Sequence, residues 1–308
     1  MKCRTCGQKA VINMRQHKLG LCKDHYLDWL PIQTNRFIKK YEMFSRKERV
    51  LVAVSGGKDS LSLWDILIQS GYQTEGIHIN LGINRPESYS DDSVEKCLKF
   101  SGQRSVQLHI ISIDRDFNMT IPKIADQTTR GRNKTCSSCG LVKRYILNKF
   151  ALDHGFDVLS TGHNLDDETA TLFSNTLQWR GEFMIRQAPV LPASNGLVKK
   201  VKPLCRFYER EMAAYAILSE IDFLQEECAY SANSTSIYYK NHFNLLEHHN
   251  PGEKLRFYLH FLKTRDEGLF APVESIKQEL HECPSCGQVT SSTGYCSFCR
   301  LVEIMRSN

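Results

Sequence analysis

Six consecutive residues, Ser55-Gly56-Gly57-Lys58-Asp59-Ser60, carry the densest chemistry in the chain. The two glycines let backbone N–H groups turn toward one point, the serines add hydroxyl donors, and Lys58 adds a cation. Such a loop suits an anion of the phosphate type. The spacing of a Walker loop is absent. A second run, Thr161-Gly162-His163-Asn164-Leu165-Asp166-Asp167-Glu168, brings three carboxylates together. They suit magnesium held through water, or a nucleotide to be oriented. Asp166 and Asp167 would equally complement the dipole of a helix that starts there.

The twelve cysteines fall into separate settings. Cys3-x2-Cys6-x15-Cys22-x2-His25 and Cys283-x2-Cys286-x9-Cys296-x2-Cys299 each supply four soft ligands, a closed tetrahedral set of the kind that holds structural Zn²⁺. Segments this short build little core of their own, and a metal replaces it. Zinc ribbons also grip RNA, which is the sharper reading of the same motifs. Cys136-Ser137-Ser138-Cys139 opens a helix, where thiolates are stabilised and both sulfurs are expected to be unusually ionised. Cys228 is a third candidate, and no obvious fourth accompanies it. A third zinc would therefore lack a ligand. Cys97 and Cys205 read as small buried apolar residues, and His17 and His281 as surface residues.

The elements that must position these groups alternate in type. Val50-Leu51-Val52-Ala53-Val54 reads as a strand buried on both faces, and Asp59 to Gln69 as a helix. Gly76 to Leu81, Val106 to Ile113 and Asp157 to Gly162 read as strands. Cys139 to His154 and Asp166 to Leu177 read as helices. Alternation of this kind implies an α/β fold with a mostly parallel sheet flanked by helices. Both motif loops then fall where a strand meets a helix, at the sheet's carboxyl edge. Glu209 to Ile221 and Ser236 to His249 read as helices, Pro251 suits a first helical turn, and 127–134 reads as a basic, mobile loop. The expected organisation is an N-terminal zinc ribbon (1–28), a basic helical linker (29–49), the main domain (50–245), a helical extension (246–280) and a C-terminal zinc ribbon (281–308).

Composition sets limits. The chain has 308 residues with 41% hydrophobic and 24% charged, ordinary for a globular protein. No apolar run has the length of a membrane span, and no secretory signal opens the sequence, so a cytoplasmic protein with reduced thiols and no membrane partner is expected. The net charge of +6 is compatible with RNA. Basic residues cluster at Arg36 to Arg49, at Arg130 to Lys134 and at Lys199 to Arg210, a phosphate-backbone track if they surround one site.

Ser55 to Ser60 resembles the PP-loop of the ATP pyrophosphatase superfamily, and Thr161 to Glu168 resembles its second signature. With Gly140-Leu141-Val142-Lys143-Arg144-Tyr145 and Pro251-Gly252-Glu253-Lys254-Leu255-Arg256, nearly the whole chain resembles the TtuA/Ncs6 branch of the TtcA-like PP-loop tRNA 2-thiolation enzymes, whose members thiolate either a T-loop or a wobble uridine. The paired terminal zinc motifs single out that branch. The resemblance implies a PP-loop fold in which Val54, Ser55, Gly56, Gly57, Lys58, Asp59 and Ser60 hold ATP with Mg²⁺. His78, Ile79, Gly162 and Asp167 would complete the nucleotide site. Cys136, Cys139 and Cys228 would bind a [4Fe-4S] cluster with one iron free of protein ligand, and Lys143 and Asp167 would take part in ATP handling or catalysis. The activity implied is adenylation of a tRNA uridine at its C2 oxygen followed by insertion of sulfide. The implied partners are tRNA, a ubiquitin-like or other sulfur-carrier protein and a second copy in a homodimer. Three cysteines leave a cluster an open position. A cysteine persulfide resolved as a disulfide is the rival route. An amine-using PP-loop ligase would not need the three cysteines, and a non-catalytic zinc-ribbon RNA-binding protein would not need the intact loop.

Overall fold

The computed structural model describes residues 1–84, 87–194, 196–231, 234–268 and 280–307, without the side chains of 129–133 and 307. The chain opens with an antiparallel pair, β1 (Ile12–Met14) and β2 (Leu19–Leu21), which leads into α1 (Lys23–Lys40). The alternating region follows: β3 (Val50–Ala53), α2 (Lys58–Gln69), β4 (Thr74–Asn80), α3 (Tyr89–Arg104) and β5 (Leu108–Ser112). Two short helices, α4 (Ile113–Phe117) and α5 (Ile121–Gln127), precede the long α6 (Thr129–Asp153). Next come β6 (Val158–Thr161), α7 (Leu165–Leu177), α8 (Gly181–Ile185), β7 (Val190–Leu191) and β8 (Lys199–Val201). The helices α9 (Glu209–Leu218), α10 (Thr235–His249) and α11 (Glu253–Asp266) follow. The chain closes with β9 (His281–Glu282), β10 (Val289–Thr290) and α12 (Ser297–Ser307).

The main sheet has six strands in the order β5-β4-β3-β6-β8-β7, parallel except for β7. Each strand expected from apolar runs is present; β3, β5 and β6 are shorter than expected, whereas β4 starts two residues earlier, at Thr74, and ends one earlier, at Asn80. β3 lies between β4 and β6, so chain direction across the sheet reverses there. That position is the topological switch point, where a crevice opens outside the carboxyl ends of the strands. Ala53 is paired with Thr161, which brings the two motif loops side by side.

Three expectations about the fold fail. Pro251 lies ahead of α11 and not in its first turn, because Gly252 is the N-cap. Residues 129–134 are not a loop: the backbone is helical into α6 and breaks at Lys134, whose φ of −147° and ψ of 57° are not helical. Cys136 therefore does open a helical arm, but one that continues a kinked helix. His17 is not a free surface residue. Its ring lies 5.8 Å from that of Trp29, and its Nε2 is 3.9 Å from Glu211 Oε1. His281 is exposed, and Cys97 and Cys205 are buried, as expected.

The N-terminal segment packs into the main core. Cys3, Met14, Leu21, Cys22 and Tyr26 share one apolar cluster with Val50, Leu61 and Trp64. Tyr26 Oη donates to the Glu211 carbonyl oxygen at 2.6 Å. α1 runs without interruption through residue 28, and α10 runs through residue 245. The C-terminal segment packs elsewhere, in a cluster with Val142 and Ile146 of α6, where Phe298 stacks on Tyr145 at 3.7 Å between ring centroids.

Candidate active site

The loop between β3 and α2 is held open from within. Ser55 N–H donates to Ser60 Oγ at 3.0 Å, and the two serine hydroxyls lie 3.2 Å apart. Gly56 has a φ of +78°, and a Cβ there would meet the Ser93 carbonyl oxygen at 2.9 Å. Only glycine combines that φ with that approach. Gly162, from the loop after β6, lies so close that a Cβ would meet Ser60 N at 2.9 Å. The two loops therefore interlock backbone to backbone.

Around them runs an alternating charge network. Lys58 Nζ donates to Asp59 Oδ2 at 3.1 Å and to Glu209 Oε1 at 2.8 Å. Lys240 Nζ pairs with Glu209 Oε2 at 3.2 Å and with Asp167 Oδ1 at 2.7 Å. Asn164 caps α7 by accepting Asp167 N–H, while Asp167 Oδ2 accepts Asn164 N–H at 3.0 Å. Asn164 Nδ2 also donates to Asp59 Oδ1 at 3.0 Å. Burial, and then the Asp167 charge, push the Asp59 carboxyl up, with Lys58 opposing. Burial works against Glu209 too, but Lys240 and Lys58 prevail and hold it down at about 2. Asp167 is thus both a helix cap and part of an ion-pair chain leading back to the PP-loop lysine.

A cavity of about 420 Å³ opens beside this network, lined by Ser55, Asp59, Ser60, Gly162, His163 and Asp167 on the loops. Gly140, Lys143, Arg144 and Leu147 of α6 close another side, and Lys200 of β8 a third. Lys143 and Asp167, far apart in sequence, meet the loop residues here. Val54 is buried behind the loop. His78 lies under it: Nδ1 is 3.0 Å from the Val54 carbonyl oxygen, and Cys97 Sγ is 3.4 Å away. Burial brings the His78 pKa down to about 4. Ile79 is packed in an apolar cluster with Leu81, Ile113 and Ile121. Neither His78 nor Ile79 lines the cavity.

One turn before Lys143, the central cysteines converge. Cys139 and Cys228 share an apolar cluster with Tyr89 and Tyr230, and Cys136 Sγ donates to the Tyr230 carbonyl oxygen at 3.2 Å. Burial raises the Cys136 and Cys139 thiols above the usual range. The expected helix-terminus ionisation is thus outweighed, although Lys143 pulls both the other way. Burial and then the Cys228 and Cys139 charges push Tyr89 up to about 12. Cys136, Cys139 and Cys228 form no disulfide, and the Cys136 thiol feels the charges of the other two; three soft donors in one neighbourhood suit a metal–sulfur group.

At the termini, the ligand atoms of Cys3, Cys6, Cys22 and His25 all lie within 4.8 Å of one another, as do those of Cys283, Cys286, Cys296 and Cys299. Against a cost of burial, backbone N–H donors bring Cys3 and Cys283 down to about 6. Each tetrad fits one tetrahedral metal ion.

A PP-loop domain model matches residues 30–243, and the model of the N-terminal LIM domain of 2-thiouridine synthetase TtuA matches residues 2–27. The tRNA-5-methyluridine(54) 2-sulfurtransferase of Thermus thermophilus is 45% identical over 303 residues, covering 98% of this chain and 91% of its own length. The chain belongs to the PP-loop tRNA 2-sulfurtransferases. The cytoplasmic tRNA 2-thiolation protein 1 of Danio rerio is 29% identical, covering 98% of this sulfurtransferase and 88% of itself. Among solved structures, the U34-tRNA thiolase NcsA from Methanococcus maripaludis with its [4Fe-4S] cluster has the same fold, with a TM-score of 0.74 at 24% identity. The match covers 86% of this chain and 88% of that one. Among the described residues, no helix is long and apolar enough to cross a membrane.

Glu209 and Lys240 were not legible as site residues, and Lys200 was legible only as one of the basic group Lys199 to Arg210. They carry no motif, and each reaches the switch point from an element distant in sequence. The basic group at Lys199 to Arg210 also disperses: Lys199 pairs with Glu48, Lys202 with Glu168, and Arg206 lies over the Phe37 ring.

Proposed function

We propose that this sulfurtransferase converts 5-methyluridine 54 of tRNA to its 2-thio form, using ATP to activate the base. Three relatives named for that nucleotide, at 45%, 39% and 40% identity over 98% of the chain, support the target. The observation that carries the chemistry is the double role of α6. It presents Lys143 to the PP-loop cavity and, one turn earlier, Cys139 to the cysteine group. Activation and sulfur delivery then share one wall.

Ser55 to Ser60 grip the pyrophosphate of ATP through loop N–H groups, hydroxyls and Lys58. Asp59 and Asp167 are the carboxylates that would hold Mg²⁺, through water. The base O2 attacks the α-phosphorus, and the bond to pyrophosphate breaks. Hydrosulfide then adds at C2, and AMP leaves with the former base oxygen. The sum is base, ATP and hydrosulfide going to thiobase, AMP and pyrophosphate, with no net oxidation. Donors fixed around the phosphoryl group stabilise its developing charge. Lys58 is released from Asp59 and Glu209 as phosphate takes their place. Cys136, Cys139 and Cys228 would hold a [4Fe-4S] cluster, which supplies an iron with no protein thiolate as a seat for sulfide. The tetrads would hold two Zn²⁺, and a ubiquitin-like or other sulfur-carrier protein would bring the sulfide.

Anaerobically purified protein is incubated with ATP, sulfide and unmodified tRNA. Thiolated nucleoside, AMP and pyrophosphate are expected in equal amounts. Thiolation without AMP sinks the adenylation step, and full activity in colourless, iron-free protein sinks the cluster.

A further inference from the structure

Six lysines reach the carboxyl edge of the sheet, and four are already committed. Lys58 is paired with Glu209, Lys202 with Glu168, Lys240 with Asp167 and Lys254 with Asp166. Lys143 and Lys200 line the cavity with no hydrogen bond or ion pair of their own among the described residues. Lys200 stands on β8 in register with Leu159 of β6, beneath α6. Burial, then repulsion from Lys202 and Arg144, lower its pKa to about 8, with only Glu168 opposing. A buried ammonium without a carboxylate costs folding free energy. The fold bears part of that cost at half-buried Lys200, in a cavity that opens on the PP-loop serines, and an incoming anion would offset it.

We propose that Lys200, together with Lys143, binds a phosphate group in this cavity, on the wall formed by β8 and α6. The assignment rests on the PP-loop reading above, in which Ser55 to Ser60 hold pyrophosphate. The phosphate left for Lys200 is then either the α-phosphate that departs as AMP or a backbone phosphate of the RNA. Both are singly or doubly charged oxyanions that a lysine recognises as a point charge.

Two variants separate binding from scaffolding. K200M removes the charge and keeps the stem. Its melting temperature is expected to equal or exceed that of the native protein, while kcat/KM for thiolation falls about tenfold or more. K200R is expected to recover part of the loss. K202M, which strands buried Glu168, is expected to lower the melting temperature instead. Thiolation by K200M within about twofold of native, or loss of activity matched by loss of folding, overturns the proposal. Lysine acetylation read by mass spectrometry, with and without ligand, supplies the second measurement. Protection of Lys200 by AMP assigns the α-phosphate, and protection by unmodified tRNA alone assigns the backbone. Protection by neither removes Lys200 from the site. Calorimetry with ATP keeps the two readings apart: absence of ATP binding by the native protein sinks the PP-loop reading, whereas ATP binding without any protection of Lys200 sinks this one only.

Discussion

At each end of the chain four ligand atoms lie within 4.8 Å of one another, and backbone N–H groups donate to the sulfurs. Cys136, Cys139 and Cys228 have three sulfurs, and Cys136 is exposed. The terminal sets are complete, four ligand atoms each. The central set has one ligand fewer, although Cys139 and Cys228 join the same apolar cluster as the C-terminal tetrad. In the proposed mechanism the same side chain would serve structure where its coordination is complete and chemistry where one position is left over. The two tetrads also differ from each other. The N-terminal one shares the largest core cluster, while the C-terminal one leans on the helix that carries the central cysteines.

The sharpest break of that contrast is Cys136→Ala. Thiolation is expected to fall by about 10³-fold or more, roughly 4 kcal/mol of barrier, with ATP affinity nearly intact by calorimetry. Retained thiolation would falsify the cluster mechanism. Cys22→Ala should do the reverse. Opening the N-terminal tetrad exposes part of the main core, and a loss of about 4 kcal/mol of stability by denaturant titration is expected, with turnover per folded molecule little changed.

The joint between the N-terminal segment and the body is expected to be pH-sensitive. Glu211 accepts Gln16 Nε2–H at 2.7 Å and Tyr208 N–H at 2.8 Å, and burial raises its carboxyl to about 7. A raised folded-state pKa means its contribution is complete below the unfolded value and is lost as pH rises through about 7. Melting temperature should decline between pH 5 and 8, and Glu211→Gln should flatten that decline by about 1–3 kcal/mol. His17, lowered by burial and by Arg206 and Arg210, acts in the opposite direction as pH falls. The difference between native and variant isolates Glu211. An unchanged slope in the variant would remove Glu211 from the joint. The smallest effect is expected from Phe298→Leu, which breaks the stack on Tyr145 at the cost of about 1 kcal/mol. If the C-terminal tetrad steadies α6, thiolation should fall by a few-fold while the N-terminal segment is untouched. Unaltered turnover would make the C-terminal segment a passive appendage.

Much of this protein is determined by local sequence. Strand-turn-helix order placed the PP-loop, because an apolar run, two glycines and a helix start need no distant contact to be recognised. The two tetrads were equally plain, since knuckle spacing is a local geometric demand. The Asn164–Asp167 cap was half legible, as dipole complement but not as a link to Lys240. Only the tertiary structure decided the rest. The half-burial of His17 depends on Glu211, far along the chain, and no local signal marked the kink at Lys134. Lys200 on β8, Glu209 on α9 and Lys240 on α10 become site residues because the fold brings three separate elements to the switch point. Charges that meet only through the fold leave no period or spacing in the sequence, and only the geometry distinguishes Lys202, which pairs with Glu168, from Lys200, which has no ion pair among the described residues.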